Sequence, residues 1–246
     1  MLYINKISQK ISWLKRKRTQ QNEFKKEFDL IAKTNNRNFE LIFKNSRPYL
    51  DDKTTTTGFD AHYVYHPAWA SRIVKLINPS VHVDISSTLH FCTQLSAFIH
   101  VDFYDYRPAI LNLDNLQSLK ADLTNLHFES NSIECISCMH TIEHIGLGRY
   151  GDPIDSDGDI KAINELKRVV KNGGSILFVV PVGKPTIVFN AHRIYRASDI
   201  VKLFSGFTLS NFSLVKDNNE YINNASISQA DDQKYGCGCF WFVKDN

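Results

Sequence analysis

The stretch LKADLTNLHFESNSIECISCMHTIEHI, residues 119–145, decides how this chain is expected to fold. Within it, residues 133–139 form a short, mostly apolar run that predicts a buried β-strand. Three ionisable residues, His140, Glu143 and His144, follow directly. Because ligands of open α/β sheets bind beyond the carboxyl ends of the strands, the stretch predicts both a parallel sheet and a functional site at its edge.

The segment that leaves this strand, HTIEHIGLGRYGDPIDSDGD at residues 140–159, is dense in ionisable groups. Such groups concentrate where a protein binds ligands or performs chemistry, so we interpret the segment as part of a site. An alternative stays open, in which Glu143 and His144 begin a helix and the aspartates form a solvated loop.

The aspartates that alternate from Asp155 to Asp159 suggest a calcium-binding loop, but the motif fails. Such a loop needs Gly at its sixth and Glu at its twelfth position, where Ile160 and Leu166 stand. We expect no bound metal. A divalent ion held with His144, acting on a phosphorylated acceptor, stays open as an alternative.

The composition is typical of a soluble globular protein. The chain has 246 residues, of which 43% are hydrophobic and 22% charged, so disordered and fibrous classes are excluded. One domain with an appendage is expected. No run of about 18 apolar residues is present to span a membrane. The basic residues near the N-terminus follow the apolar ones, which is the wrong order for a secretory signal, and we expect a cytoplasmic protein.

The five cysteines predict buried thiols rather than disulfides or a metal site. An odd number of cysteines in a chain of this length does not form a disulfide framework. Cys135 and Cys138 lie three residues apart on a strand and face opposite sides, so they cannot hold one ion together. Cys237 and Cys239 share a face but have no second pair nearby in sequence, and we predict core or edge positions for them.

Residues 1–60 are predicted to form a basic, amphipathic helical segment, followed by a domain at 61–246. The formal net charge is only +3, but residues 15–18 form a run of four basic side chains. An apolar stripe at helical spacing adjoins this run: Ile4, Ile7, Ile11 and Leu14. Such a helix either lies on the anionic inner face of the membrane or packs its stripe on the domain. Both interpretations stay open, and no nucleic-acid partner is expected.

From Val81 onward, apolar runs alternate with helical patterns, which is typical of a parallel sheet with crossover helices. Residues 159–170 predict a helix that ends at Asn172-Gly173-Gly174, and Ser198 is expected to cap a second helix. The predicted strands are 81–85, 99–104, a short piece near 119, 133–139, 176–180, 208–215 and 239–243. The predicted fold class is a doubly wound, Rossmann-like α/β fold with an N-terminal helical extension. Its sheet is mostly parallel, with seven strands and the last one antiparallel.

This order of elements resembles the class I methyltransferases that use S-adenosylmethionine, over about residues 79–244. The resemblance is carried by residues 119–145 and by KRVVKNGGSILFVVP at 167–181. Acidic residues at the ends of the first three strands also match the family. A carboxylate about twenty residues after the first strand suits a ribose diol on physical grounds as well. The resemblance implies S-adenosylmethionine as cofactor, contacted by Asp84, Ser86, Asp105, Asp122 and Met139.

The loop after the first strand departs from that family. The family has glycines at alternate positions, where this chain has Ser86, Thr88 and His90. Glycine lets the backbone approach a ligand closely because it carries no Cβ. Two functions therefore stay open, a methyltransferase and a Rossmann-like binding or assembly protein that has lost the cofactor.

Three longer strings resemble a narrower family: HVDISSTLHF, FYDYRPA and HTIEHIGLGRYGDPIDSDGDIKAINELKRVVK. This is the uncharacterised domain-of-unknown-function family number two hundred and sixty-eight. It implies a fold but no substrate.

The implied reaction is methyl transfer to an oxygen or nitrogen of a small-molecule or glycan-type acceptor. His144 and His140 are candidate bases, and Glu143 either orients His144 or caps the next helix. The candidate substrate-binding residues are Arg149, Tyr150, Lys184, His192 and Arg193. Guanidinium groups suit carboxylates and phosphates, although salt bridges to nearby aspartates explain the two arginines equally well.

Residues 59–74 concentrate aromatic side chains with His62 and His66. They either form a wall for an acceptor or pack against the core.

Overall fold

The computed structural model describes residues 2–246, except for the side chains of residues 2–5, 7 and 8. The chain divides into two compact units, Met1–Gly58 and Phe59–Asn246. Ile4 and Ile7 of the predicted apolar stripe therefore lie outside the described side chains. None of the helices within residues 2–246 combines the length and apolarity needed to cross a membrane.

The first unit consists of one long helix, α1 (Leu2–Thr34), and a mostly extended segment that returns beside it. The amide of Gln20 donates to the carbonyl oxygen of Leu50 at 2.7 Å, and Lys17 pairs with Asp51 at 2.5 Å. Ile11 and Leu14 of the apolar stripe are 49% and 52% exposed. The described part of the stripe therefore faces solvent.

The second unit is built on an eight-stranded sheet in the order β3-β2-β1-β4-β5-β10-β8-β9. Its helices are α2 (Ala61–Ile77), α3 (Leu89–Leu95), α4 (Gly158–Val169), α5 (Ala197–Leu203) and α6 (Ile227–Asp231). Its strands are β1 (Val81–Ile85), β2 (His100–Asp105), β3 (Leu116–Lys120), β4 (Ile133–Met139), β5 (Val170–Val182), β6 (Thr186–Val188), β7 (His192–Ile194), β8 (Phe207–Val215), β9 (Tyr221–Ile222) and β10 (Gly236–Lys244).

The predicted doubly wound α/β class is confirmed, with one strand more than the seven expected. Strands β1 to β5 pair in parallel, and β10 is antiparallel to both β5 and β8. The eighth strand is β9, a two-residue piece on β8. A separate hairpin of β6 and β7 was also not expected. Such short pieces are held by tertiary contacts and leave little pattern in the sequence.

Two apolar layers cover the faces of the sheet because successive side chains of a strand point to opposite sides. Residues of α2 and α3 pack in one layer, which contains Cys135. Residues of α4 and α5 pack in the other, which contains Cys138. All five cysteines are buried and free, as predicted, and the two on β4 lie on opposite faces.

The start of the α5 helix differs from the prediction. Ser198 does not cap it, because the helix begins at Ala197 and its N-cap residue is Arg196, which makes no side-chain capping bond. Instead, the Asp231 carboxylate accepts a hydrogen bond from the backbone N–H of Ala197 at 2.9 Å. A partner 34 residues away thus satisfies a helix end for which the local sequence offered a serine.

Candidate functional site

Two adjoining clefts open where the parallel strands end. The first cleft, with a volume of about 290 Å³, is lined by the ends of β2 and β3 and by the loop after β4. The second cleft lies beside the start of α2, strand β7 and the loop before β10. Four residues line both clefts: Ser86, His140, His144 and Tyr150. The clefts are therefore two chambers of one candidate site.

Asp105 and Asp122 both line the first cleft. Oδ1 of Asp105 accepts a hydrogen bond from the backbone N–H of Arg107 at 2.7 Å. Oδ1 of Asp122 accepts from both the backbone N–H and the hydroxyl of Thr124, at 2.8 and 2.7 Å. Among the described residues neither carboxylate uses its Oδ2, so each keeps an acceptor for a ligand.

Asp84 ends up in a buried network rather than on a cleft wall. It is fully buried, its Oδ1 accepts from the backbone N–H of Ser87 at 2.9 Å, and its Oδ2 accepts from the Ser137 hydroxyl. That hydroxyl accepts in turn from His82 Nε2 at 2.7 Å. Burial raises the pKa of Asp84 to about 6. With both oxygens engaged, Asp84 shapes the loop after β1 and offers no atom to a ligand.

The loop after β1 contains one residue in a glycine-like conformation. Ser86 has a φ of 55°, and its backbone N–H and hydroxyl both donate to the carbonyl oxygen of Tyr104, at 2.7 and 3.2 Å. Thr88 has ordinary extended backbone and caps α3. Of the positions where glycines were expected, Ser86 therefore carries the strain, roughly 1–2 kcal/mol for a residue with a Cβ.

Met139 is buried at the end of β4, and its backbone N–H donates to the hydroxyl of Ser87 at 3.1 Å. It lines the second cleft together with Ser86, but not the first cleft, which contains Asp105 and Asp122. The residues expected at the cofactor are thus brought to one edge of the sheet but not to one cavity.

His140, Glu143 and His144 form a buried cluster after β4. His140 Nδ1 and Glu143 Oε1 lie 2.9 Å apart, and His144 Nε2 lies 3.8 Å from the same oxygen. Glu143 is 1% exposed. Burial lowers the pKa of His140, but Cys237 and Glu143 raise it, and the net change is upward. The three candidate catalytic residues therefore act as one coupled unit.

His144 has the arrangement of a general base. Its Nδ1 donates to the carbonyl oxygen of Ala191 at 2.6 Å, which leaves a lone pair on Nε2. Burial lowers the pKa of His144, so the ring is neutral near pH 7. A neutral imidazole that borders both clefts can accept a proton from a bound acceptor.

Three of the predicted substrate-binding residues line the second cleft: Arg149, Tyr150 and His192. The Arg149 guanidinium lies over the Tyr150 ring at 5.1 Å and donates to the Ala191 carbonyl oxygen at 3.2 Å. The Tyr150 ring meets the His144 ring edge-on at 5.7 Å. These side chains place one exposed cation and two aromatic rings beside the candidate base.

Lys184 and Arg193 line neither cleft. Lys184 is exposed after β5. Arg193 is 5% exposed, donates to the carbonyl oxygens of Ile145 at 2.6 Å and Ser156 at 3.3 Å, and lies 3.6 Å from Asp159. The Arg193 side chain therefore stabilises the loop after β4, and its guanidinium is engaged in bonds within the protein.

The aspartates of that loop also bond within the protein. Asp152 Oδ2 accepts from the backbone N–H groups of Gly146 and Gly148, at 2.8 and 3.3 Å, and Asp155 pairs with Lys161 at 2.6 Å. Gly146 has a φ of 78°, and a Cβ there would lie 2.0 Å from the carbonyl oxygen of Asp155. The loop therefore closes on itself and requires glycine at this point.

Four side chains near the site were not among the predicted site residues. The Tyr63 ring stacks on His140 at 5.4 Å, and the Tyr235 ring stacks on His62 at 5.3 Å. Donor atoms of His62, His140 and Cys237 all lie within 4.8 Å of one another. The sequence singled out His62 only within an aromatic segment and assigned Cys237 to the core. Nothing local links positions so distant in the chain.

Two solved structures share this fold. The YcgJ protein of Bacillus subtilis is 12% identical, with 74% of this chain and 99% of that chain covered and a TM-score of 0.52. A Bacillus halodurans protein provisionally assigned as a methyltransferase is 13% identical, with 73% and 99% covered and a TM-score of 0.54. The chain therefore has a class I methyltransferase fold, which at these identities is all the likeness shows.

The chain belongs to the family described as "Caenorhabditis protein of unknown function, DUF268", whose sequence profile matches residues 92–237. An uncharacterized protein of Methanocaldococcus jannaschii is 27% identical over 106 residues, which is 42% of this chain. The chain spans 40% of the length of that relative.

Proposed function

We propose that this protein is an S-adenosylmethionine-dependent methyltransferase that acts on a small-molecule or glycan-type acceptor in the cytoplasm. The observation that carries the proposal is the pair of carboxylates in the first cleft. Asp105 and Asp122 lie where β2 and β3 end, and each has an oxygen unused among the described residues. The class I fold of the neighbours that are described as methyltransferases supports it.

The residues of the first cleft fit the nucleoside half of this cofactor. Asp105 is half-buried at a strand end, where a carboxylate accepts hydrogen bonds from a ribose diol. Ala121 and Leu123 line the same cleft beside Asp122, and they supply an apolar surface for a flat base. When bound, the cofactor supplies an electrophilic methyl group on a sulfonium. Asp84 supports the loop from below through Ser87 and Ser137.

In this proposal the acceptor occupies the second cleft. His144 takes the proton of the acceptor at Nε2, while the Ala191 carbonyl holds its Nδ1–H. Arg149 offers an exposed guanidinium beside it, which suits an acceptor that carries a carboxylate or phosphate. Because methyl transfer depends mainly on orientation, the cleft walls contribute by holding the acceptor in line.

Calorimetry with S-adenosylmethionine and its demethylated product tests the proposal directly. If the dissociation constant is micromolar, free ligand at about one hundred times that constant stabilises the fold by about 2.7 kcal/mol. Asp105→Ala removes the carboxylate that would accept hydrogen bonds from the ribose hydroxyls, which weakens binding by roughly 10- to 150-fold. Asp102→Ala is the matched control, since Asp102 lies on the same strand, pairs with His100 and lines neither cleft.

His144→Ala separates chemistry from binding. It should leave cofactor affinity unchanged and reduce turnover on an identified acceptor by about two to four decades. No heat and no melting shift at millimolar cofactor would instead favour the binding or assembly protein. The strained Ser86 in the loop after β1 is the observation that keeps this second function in view.

A further inference from the structure

Three potential metal ligands converge beside the second cleft from distant parts of the chain. His62 comes from the first turn of α2, His140 follows β4, and Cys237 lies at the start of β10. One donor atom from each lies within 4.8 Å of the other two. We propose that His62, His140 and Cys237 bind a zinc ion.

Glu143 engages one ring nitrogen of His140, which leaves the other, Nε2, for a metal ion. Nδ1 lies 2.9 Å from the Glu143 carboxylate and donates to it, so Nε2 carries the lone pair once the ring is neutral, the form in which a histidine binds a metal ion. The His140 side chain is 3% exposed, and its Nε2 has no hydrogen-bond partner among the described residues. A buried nitrogen without a partner is costly, and a metal ion in the cluster satisfies it.

Glu143 supplies the second part of the argument. It is buried, and among the described residues the basic side chains within 4 Å of its carboxylate are His140 and His144, with no lysine or arginine. Metal-bound histidines commonly donate their other N–H to a carboxylate, which fixes the ring and strengthens the ligand. A Zn²⁺ ion, one thiolate and the Glu143 carboxylate also sum to zero charge, so the buried carboxylate is compensated.

The donor set selects zinc among the common divalent ions. Imidazole nitrogen and thiolate sulfur suit Zn²⁺, whereas Mg²⁺ and Ca²⁺ prefer oxygen ligands. In a tetrahedral Zn²⁺ site with bonds of about 2.1 Å to nitrogen and 2.3 Å to sulfur, donor atoms stand roughly 3.6 Å apart. Side-chain rotations that move the donor atoms by about 1 Å therefore complete the site.

Aromatic rings enclose the cluster. Tyr235 stacks on the His62 ring with an interplanar angle of 18°, and Tyr63 stacks on the His140 ring at 24°. Three protein ligands leave a fourth position for water or a bound molecule. Because His140, Tyr63 and Tyr235 also line the second cleft, the zinc would form part of that wall. The loop aspartates once considered for a metal are engaged in other bonds.

The test is titration of the chelator-treated full-length protein with Co²⁺ and Zn²⁺, without any cofactor. We expect one ion per chain and a near-ultraviolet charge-transfer band from the Co²⁺–thiolate bond. Cys237→Ser should abolish the band. Cys135→Ser is the matched control, since its thiol is equally buried but lies on β4 and outside the three-residue cluster, and it should retain the band.

Two further variants cover a failure of Cys237→Ser to fold. His62 is only half-buried, so His62→Ala should fold and bind Zn²⁺ at least tenfold more weakly. Glu143→Gln keeps the shape of the side chain and should weaken Zn²⁺ binding by about 10- to 100-fold. Absence of stoichiometric binding, or unchanged affinity in His62→Ala, would overturn the proposal. Metal content is measured without methyl transfer, so its outcome is independent of the proposed function.

Discussion

A substitution of Arg193 tests whether this residue stabilises the loop of the site or contacts substrate. Arg193→Met keeps most of the apolar stem and removes the guanidinium that bonds Ile145, Ser156 and Asp159. Removing one partner from a buried ion pair costs about 3–5 kcal/mol, because the other charge stays buried. Asp159 keeps one hydrogen bond, from the Tyr195 hydroxyl at 2.8 Å, which favours the lower end of that range.

Thermal and urea unfolding measure this loss. For a chain of this size each kcal/mol lowers Tm by about 2–4 °C, so Arg193→Met should melt roughly 6–20 °C below the wild type. Arg149→Met is the matched control, since Arg149 is exposed on the second cleft and its loss should change stability by less than about 0.5 kcal/mol. A change below about 1 kcal/mol for Arg193→Met would refute the stabilising role.

Two further predictions concern pH and membrane contact. Because burial raises the pKa of Asp84 from 3.8 to about 6, the folded protein holds a proton there that the unfolded chain releases. The free energy of unfolding therefore falls as the pH rises from about 4 to about 6, by about 3 kcal/mol in all. Asp84→Asn should remove this pH dependence in urea titrations. The same pH dependence in wild type and variant would contradict the prediction. We also propose that residues 1–26 contact anionic membranes. Three basic residues of the 15–18 run are free of the Lys17–Asp51 pair, and each contributes about 1 kcal/mol near such a surface. Full-length protein should co-sediment with anionic but not neutral vesicles at low salt. A variant with Lys15→Gln, Arg16→Gln and Arg18→Gln should no longer co-sediment with the anionic vesicles. Equal pelleting of the two proteins would argue against the membrane contact.

The central parallel strands β1, β4 and β5 were predictable because they are largely buried on both faces. Strands β1 and β4 begin and end at the predicted residues, and α4 lies within one residue of its prediction. Continuous apolar runs and an apolar helix face are local signals, and burial in a three-layer fold preserves them. The same locality placed His140, Glu143 and His144 correctly after β4.

The rest of the candidate site depends on contacts that no local pattern records. Arg193 lies in a segment after β5 whose basic composition suggested substrate binding. In the structure its guanidinium instead donates to the loop after β4. Cys237 is an ordinary core thiol in sequence, and only the pairing of β10 with β5 brings it to His140. The chemical type of a side chain is known from the sequence. The tertiary fold determines which other groups of the protein bond to it or join it in a site.

The direction of β10 means that one wall of the second cleft comes from a loop that precedes its strand. The parallel strands deliver residues from the loops that follow them, which supply the carboxylates of the first cleft. Strand β10 runs the other way, with Cys237 opposite Pro181 near the end of β5, so its contribution comes from the loop that precedes it. Tyr235 is the residue of that loop that lines the second cleft, so its substitution, or an insertion beside it, can alter one wall of this cleft while the loops of the first stay constant. Under the proposed function, selectivity for the acceptor can then change while affinity for the methyl donor is kept.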